Sequence, residues 1–281
     1  LFTVVNIFGQ APLWMRYPAI SPDGSQIAFN YKGDIYIVDT EGGKAQAITT
    51  HSAHDFMPTW SPDGKSIAFA SNRYGNYDIF IMPSIGGNAK RLTHHSSDDY
   101  PNSIDGTGHI YFSSTRLDSH LNSQFPSGVL SELYSINENG DLSQVLTTPA
   151  ENSVWNKDKT KLIYHDRVGY ENAWRKHHTS SVTRDIWLYD AKTKEHTQLT
   201  DFNGEDRNPV WSKNEQFFYY LSEESGDFNV WKKNISEGVK TQITDFNDHP
   251  VRFLSISNDG LLSFGFDGEL YTMKEGEAPK K

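Results

Sequence analysis

Between Asp166 and Arg184 the chain reads DRVGYENAWRKHHTSSVTR, which crowds aromatic, cationic and acidic groups into one short stretch. Tyr170 and Trp174 can cover apolar side chains at low entropy cost. Arg175 and Arg184 can each hold a carboxylate in a two-pronged hydrogen bond. Glu171, His177 and His178 add carboxylate and imidazole groups. The plainer reading is that Tyr170 and Trp174 plug a gap in the fold. A second set is acidic: Asp55, Asp98, Glu151 and Asp206 each stand three residues before a Pro or Val. Gathered in a ring, they would focus potential on a cationic group such as a peptide amine. As short carboxylates in loops, they would equally fix turns by accepting from backbone amides.

A catalytic constellation does not assemble from the remaining residues. Ser and His are plentiful, yet no G-x-S-x-G elbow occurs. The pairs His51/His54, His94/His95 and His177/His178 lack H-E-x-x-H or a similar zinc-holding spacing. No Gly-rich phosphate loop precedes a helix, and without cysteine there is no thiolate and no disulfide framework. The sequence thus points to no catalytic residue, no metal and no cofactor. With 26 basic against 36 acidic residues, the net charge of -10 argues against nucleic acid as partner. No apolar run approaches the roughly 20 residues that span a membrane.

What must position these groups is a repeat. Pro18-Ala-Ile-Ser-Pro-Asp-Gly24 leads into Ile27-Ala-Phe29, and Pro58-Thr-Trp-Ser-Pro-Asp-Gly64 leads into Ile67-Ala-Phe69. Degraded copies begin near Pro101, Val154, Pro209 and Pro250. Asp-Gly between two short apolar runs marks a tight hairpin. A second marker recurs six times: Asp34-Ile-Tyr36, Asp78-Ile-Phe80, Glu132-Leu-Tyr134, Asp185-Ile-Trp187, Asn229-Val-Trp231 and Glu269-Leu-Tyr271. A third, aliphatic then Thr, appears at Thr49, Thr93, Thr147, Thr200 and Thr244. Four short strands, a to d, in each period of about 40 to 50 residues predict an all-β, six-bladed β-propeller of four-stranded antiparallel blades. The blades run roughly 16–50, 56–94, 100–148, 152–201, 207–245 and 249–274.

Two further expectations follow from this zigzag. Turns a–b and c–d fall on one face, and b–c loops with d–a connections on the other. The second face carries insertions in blade 3, about Ser113 to Leu130, and in blade 4, about Asp166 to Arg184. Function concentrates on such loops. The third marker occurs once less often than the second, so one blade lacks a d strand. Leu1 to Phe8, LFTVVNIF, alternates like a strand and is expected to close that blade beside Glu269 to Met273, in preference to being a signal-peptide remnant.

Ser61-Pro-Asp-Gly-Lys-Ser-Ile-Ala-Phe-Ala-Ser-Asn-Arg73, with Asp78-Ile-Phe and Arg91-Leu-Thr93, resembles the repeats of TolB and of tricorn-type proteases. Prolyl-oligopeptidase relatives and oligogalacturonate lyases share this repeat type. Three segments carry a narrower resemblance, to the N-terminal propeller of bacterial tricorn-like serine peptidases. They are Tyr164-His-Asp-Arg with Tyr170 through Trp187, Pro12-Leu-Trp-Met-Arg-Tyr-Pro18 and Gly204-Glu-Asp-Arg-Asn-Pro209. The resemblance implies a second propeller, a PDZ domain and the peptidase domain beyond Lys281. It also implies a periplasmic or otherwise exported setting. The partners it implies are peptides or unfolded polypeptide, and other domains of the same parent chain. The expected function is a non-catalytic, peptide-gating or substrate-binding propeller. The rivals are a TolB-like protein-interaction module and a metal-dependent polysaccharide lyase. The purified chain should not cleave fluorogenic peptides; turnover abolished by one substitution within it would contradict this reading.

Overall fold

The Ser-Pro-Asp-Gly units are held by their own side chains. Asp23 Oδ1 accepts from the Ser21 hydroxyl (2.6 Å) and the Ser25 amide (3.0 Å), and Ser21 Oγ accepts from the Gln26 amide (3.0 Å). Ser61 with Asp63 repeats this arrangement. Where the unit is degraded, Asn156 stands in for the serine and Asn214 for the aspartate, and both accept turn amides. The degraded copies therefore still turn.

The computed structural model describes residues 14–116, 130–169, 174, 177 and 179–281. Its six antiparallel sheets form a six-bladed β-propeller. Blade 1 shows the order from the axis outward: Arg16–Ile20, Gln26–Tyr31, Asp34–Asp39 and Gln46–Ala47. The other innermost strands are Asp55–Trp60, Asp99–Ile104, Ala150–Trp155, Asp206–Trp211 and Arg252–Ile256. Each apolar core lies in a seam between two blades. Ala28, Ile35 and Ile37 of blade 1, for example, meet Trp60, Ile67 and Phe80 of blade 2.

One bond repeats around the ring. The amide that opens an innermost strand donates to the b–c turn of the preceding blade: Asp55 to Gly33 (2.8 Å), Asp99 to Tyr77 (2.8 Å), Asp206 to Arg184 (2.9 Å) and Val251 to Phe228 (2.9 Å). The ring closes the same way, with Met15 donating to Gly268 (3.0 Å). Two tryptophans add staples: Trp60 Nε1 donates to Ala19 O (2.8 Å) and Trp211 Nε1 to Val154 O (2.9 Å).

Among the described residues blade 6 has three strands, the last being Glu269–Met273. Thr272 exchanges both backbone hydrogen bonds with Lys280 (2.8 Å each), at the position where Ile37 pairs with Gln46 in blade 1. Lys280 thus takes one place on that outer edge. The expected closing strand, Leu1 to Phe8, lies outside the described residues.

Five innermost strands carry a β-bulge around a residue with left-handed backbone: Tyr17 (φ 53°), Met57 (55°), Asn152 (48°), Asn208 (52°) and Phe253 (60°). Such backbone is costly for bulky side chains. In blade 3 the matching place is Pro101, whose ring forbids positive φ, and the irregularity moves to Asn102.

The second and third sequence markers meet in space. Thr93 Oγ1 accepts from the Ile79 amide (2.8 Å) and lies 3.4 Å from Asp78 Oδ1. Thr49 with Asp34, Thr200 with Asp185 and Thr244 with Asn229 make the same clasp. Thr93 is buried, whereas Thr147 is exposed. Thr93→Val should cost about 1–2 kcal/mol of stability in urea unfolding, because it strands a buried amide. Thr147→Val should leave the midpoint nearly unchanged.

Candidate functional site

The six innermost strands surround an axial cavity of about 650 Å3. Its wall is two-sided. One side presents Tyr17, Met57, Phe253 and Trp174. Tyr17 packs on Phe253 (centroids 4.3 Å apart) and edge-on to Phe56 (5.4 Å). The other side presents Asn102, Asn152, Asn208, Glu151, Arg184 and Arg207. The bulges link these amides into a ladder. Asn152 N donates to Asn102 Oδ1 (3.2 Å), Asn208 Nδ2 to Asn152 Oδ1 (3.0 Å) and Asn208 N to His165 Nδ1 (3.1 Å).

That last bond makes Nδ1 of His165 an acceptor, so the neutral ring carries its proton on Nε2, 3.5 Å from Glu151 Oε2. Burial pushes the His165 pKa down. Burial alone would raise the Glu151 carboxyl. The hydrogen bond from His165 and the guanidinium groups of Arg167 (2.9 Å) and Arg184 outweigh it and hold Glu151 well below the usual range. Behind this pair lies a buried charge network. Arg184 Nη1 bonds Glu205 Oε1 (2.6 Å), Arg207 Nη1 reaches the same oxygen (3.4 Å), and Arg207 also stacks on Phe228 (4.1 Å). Glu205 N donates to Glu223 Oε1 (3.3 Å).

Trp174 crosses from the blade-4 insertion to blades 1 and 6. Its ring stands 4.7 Å from the Arg16 guanidinium and 5.0 Å from that of Arg252, edge-on to Phe253. Its carbonyl accepts from Arg252 (3.4 Å). It is 49% exposed, so one part packs while the rest faces solvent. His177 donates its amide to Glu223 Oε2 (2.7 Å). Tyr170, Glu171, Arg175 and His178 lie outside the described residues.

The four acids expected as a ring do not share one position. Asp55 and Asp206 are buried in the seams, Asp55 against Arg73 (2.7 Å). Their counterpart in blade 3 is Asp99, paired with Arg116, and not Asp98. Asp98 ties a turn, accepting from the Tyr77 amide (2.8 Å) and the Tyr100 hydroxyl (3.2 Å). Glu151 lies one residue further along and lines the channel. Counting back from Pro or Val slips by one between blades, because Pro101 takes the place of Met57 rather than Pro58. A one-residue slip in a strand changes the face. His165, Glu205, Arg207 and Arg252 escaped attention as site residues. The segments Tyr164-His-Asp-Arg and Gly204-Glu-Asp-Arg-Asn-Pro209, conspicuous in the sequence for other reasons, contain three of them. Among the described residues no group of three or more His, Asp and Glu gathers to hold a metal ion.

Fold and site define a propeller with a two-sided axial channel that Trp174 lines at one mouth. The family model for the tricorn protease N-terminal beta propeller domain matches residues 12–278, and the chain belongs to that family. The crystal structure of the tricorn protease superposes with a TM-score of 0.82 at 18% identity, over 96% of this chain and 26% of that one. Tricorn protease homolog 1 of Streptomyces coelicolor is 32% identical over 65 residues, 23% of this chain and 6% of the homolog. A TolB homolog of Chlorobium chlorochromatii is 43% identical over 47 residues, 16% of this chain and 11% of that protein. The chain thus spans about a quarter of the tricorn protease it matches, and its matches to these two relatives span smaller shares of them.

Glu205→Gln removes the carboxylate that the buried Arg184 and Arg207 guanidiniums share. Breaking such a buried pair should cost about 3–5 kcal/mol in urea unfolding. Glu237→Gln, at an exposed turn, should leave the midpoint where it is.

Proposed function

We propose that this chain is a non-catalytic, peptide-gating and substrate-binding propeller of a tricorn-like serine peptidase. Hydrolysis would belong to other domains of the parent chain, in a periplasmic or otherwise exported setting. The observation that carries this reading is the two-sided channel under Trp174. An extended peptide offers apolar side chains to Tyr17, Met57, Phe253 and Trp174, and backbone amides to the Asn102–Asn152–Asn208 ladder. Charged termini would meet guanidinium and carboxylate groups at the same mouth. Binding would be weak, because an unfolded chain loses conformational entropy on entering.

A second reading, a TolB-like module that docks a folded partner, is favoured by the similarity to the Chlorobium protein. That mode would use the outer surface and leave the channel free. The two readings part in a retention assay on immobilised, reduced and alkylated polypeptide. Trp174→Ala combined with Arg252→Ala should weaken retention several-fold, with thermal unfolding close to that of the wild type. If retention is unchanged and the melting temperature falls sharply, Trp174 is a structural plug and the gating reading fails.

A further inference from the structure

The blade seams differ in how they neutralise buried acid. At the seam of blades 1 and 2, Asp34 and Asp55 meet and Arg73 bonds Asp55 (2.7 Å). At the seam of blades 2 and 3, Asp78 pairs with Arg91 (2.7 Å) and Asp99 with Arg116. At the seam of blades 4 and 5 the same two positions are Asp185 and Asp206. The Thr200 hydroxyl accepts from the Ile186 amide (2.9 Å) and lies 3.3 Å from Asp185 Oδ1. Both carboxylates face this hydroxyl, and Asp206 also faces that of Ser222.

The missing guanidinium is a substitution within the repeat. Asp55 pairs with Ser71, Asp99 with Ser114 and Asp206 with Ser222. Two residues after that serine stand Arg73, Arg116 and, in blade 5, Glu224. Asp206 is 1% exposed, and its Oδ1, like Asp55 Oδ1 at the first seam, has no hydrogen-bond partner among the described residues. Asp166 from blade 4, Asp201 from the connection and Glu224 from blade 5 add negative charge. The nearby ammonium groups are engaged elsewhere, Lys240 with Glu224 (2.5 Å) and Lys233 with the Leu199 carbonyl (2.5 Å). Gln198 donates to Asp185 Oδ2 (2.9 Å) but is neutral.

Two ionised carboxylates facing one buried hydroxyl repel, whereas a proton on either relieves the pair. We propose that the seam of blades 4 and 5 is a proton-held joint, closed while the Asp185–Asp206 pair keeps a proton and loosened when it is lost. This goes beyond the peptide-gating reading and does not depend on it. The joint reaches the channel mouth through the backbone, because Arg184 and Arg207 are the chain neighbours of Asp185 and Asp206. The Asp206 amide also bonds the Arg184 carbonyl directly.

Burial first, then like charge, pushes Asp185 up to about 6 and Asp206 up to about 7. Because the native state holds a proton that the unfolded state releases, this contribution is complete below the ordinary carboxyl range. It is lost as pH rises through 6 to 7. Hydrogen exchange, corrected for intrinsic rates, reads the joint through the Ile186 and Asp206 amides, with Ile35 and Asp55 of the first seam as internal reference. Between pH 5.5 and pH 8 the first pair should lose protection about ten-fold relative to the second, as expected for one displaced proton. Glu224→Arg, which restores the sibling arrangement, should remove that pH dependence. Asp206→Asn should do the same if the arginine variant does not fold. Equal pH responses at the two seams, or a carboxyl carbon titration of Asp206 centred at or below 4, would overturn the proposal.

Discussion

Six twisted sheets packed around one axis leave six inner strand edges, whose outward-pointing partners are already used and whose inward backbone groups have no strand to pair with. An unbroken edge of this kind is a template for another strand. Here the edge is broken in every blade by an irregularity, at Tyr17, Met57, Asn102, Asn152, Asn208 and Phe253. Bulges re-aim side chains and end regular pairing. The same device therefore keeps the channel from being sealed by strand addition and sets the groups that line it. The ladder from Asn102 to His165 exists because the bulged amides point sideways to the next blade rather than along a sheet.

This constraint separates structural from lining charge. Positions one step apart on an innermost strand fall into different surroundings, as Asp206 in the seam and Arg207 in the channel show. Seam acids need a compensating group or a neutral substitute, and the ring shows both: Arg73 beside Asp55 at the first seam, Ala150 in place of an acid in blade 4, and Asn229 with Val251 at the seam of blades 5 and 6. Arg184, Arg207 and Arg252 line the channel beside Glu151. A chain with net charge -10 thus gathers guanidinium groups around its axis.

The architecture was legible because its markers are themselves bonded. Asp34-Ile-Tyr36 and Ile48-Thr49 recur together since the threonine hydroxyl clasps the strand that the acid opens. The insertion in blade 4 was also legible, and Trp174 does reach the channel. The acidic ring was misread, because Pro101 and Val154 do not mark the same register as Pro58. His165, Glu205 and Arg207 were hidden for a related reason. Apart from the Glu205–Arg207 contact, the partners named for them lie on other strands or blades, and sequence spacing carries no trace of a bond such as Arg184 to Glu205.

An unfolded chain that enters this channel must meet the inner edge of the blades. A short peptide carrying a nitroxide label, added to the isotope-labelled protein, reports this by broadening nearby amide signals. Broadening at Asn152, Asn208 and Phe253, with Gln46 and Lys90 on the outer edges unaffected, is the predicted result. Broadening confined to the outer edges, with the bulge residues untouched, would contradict it.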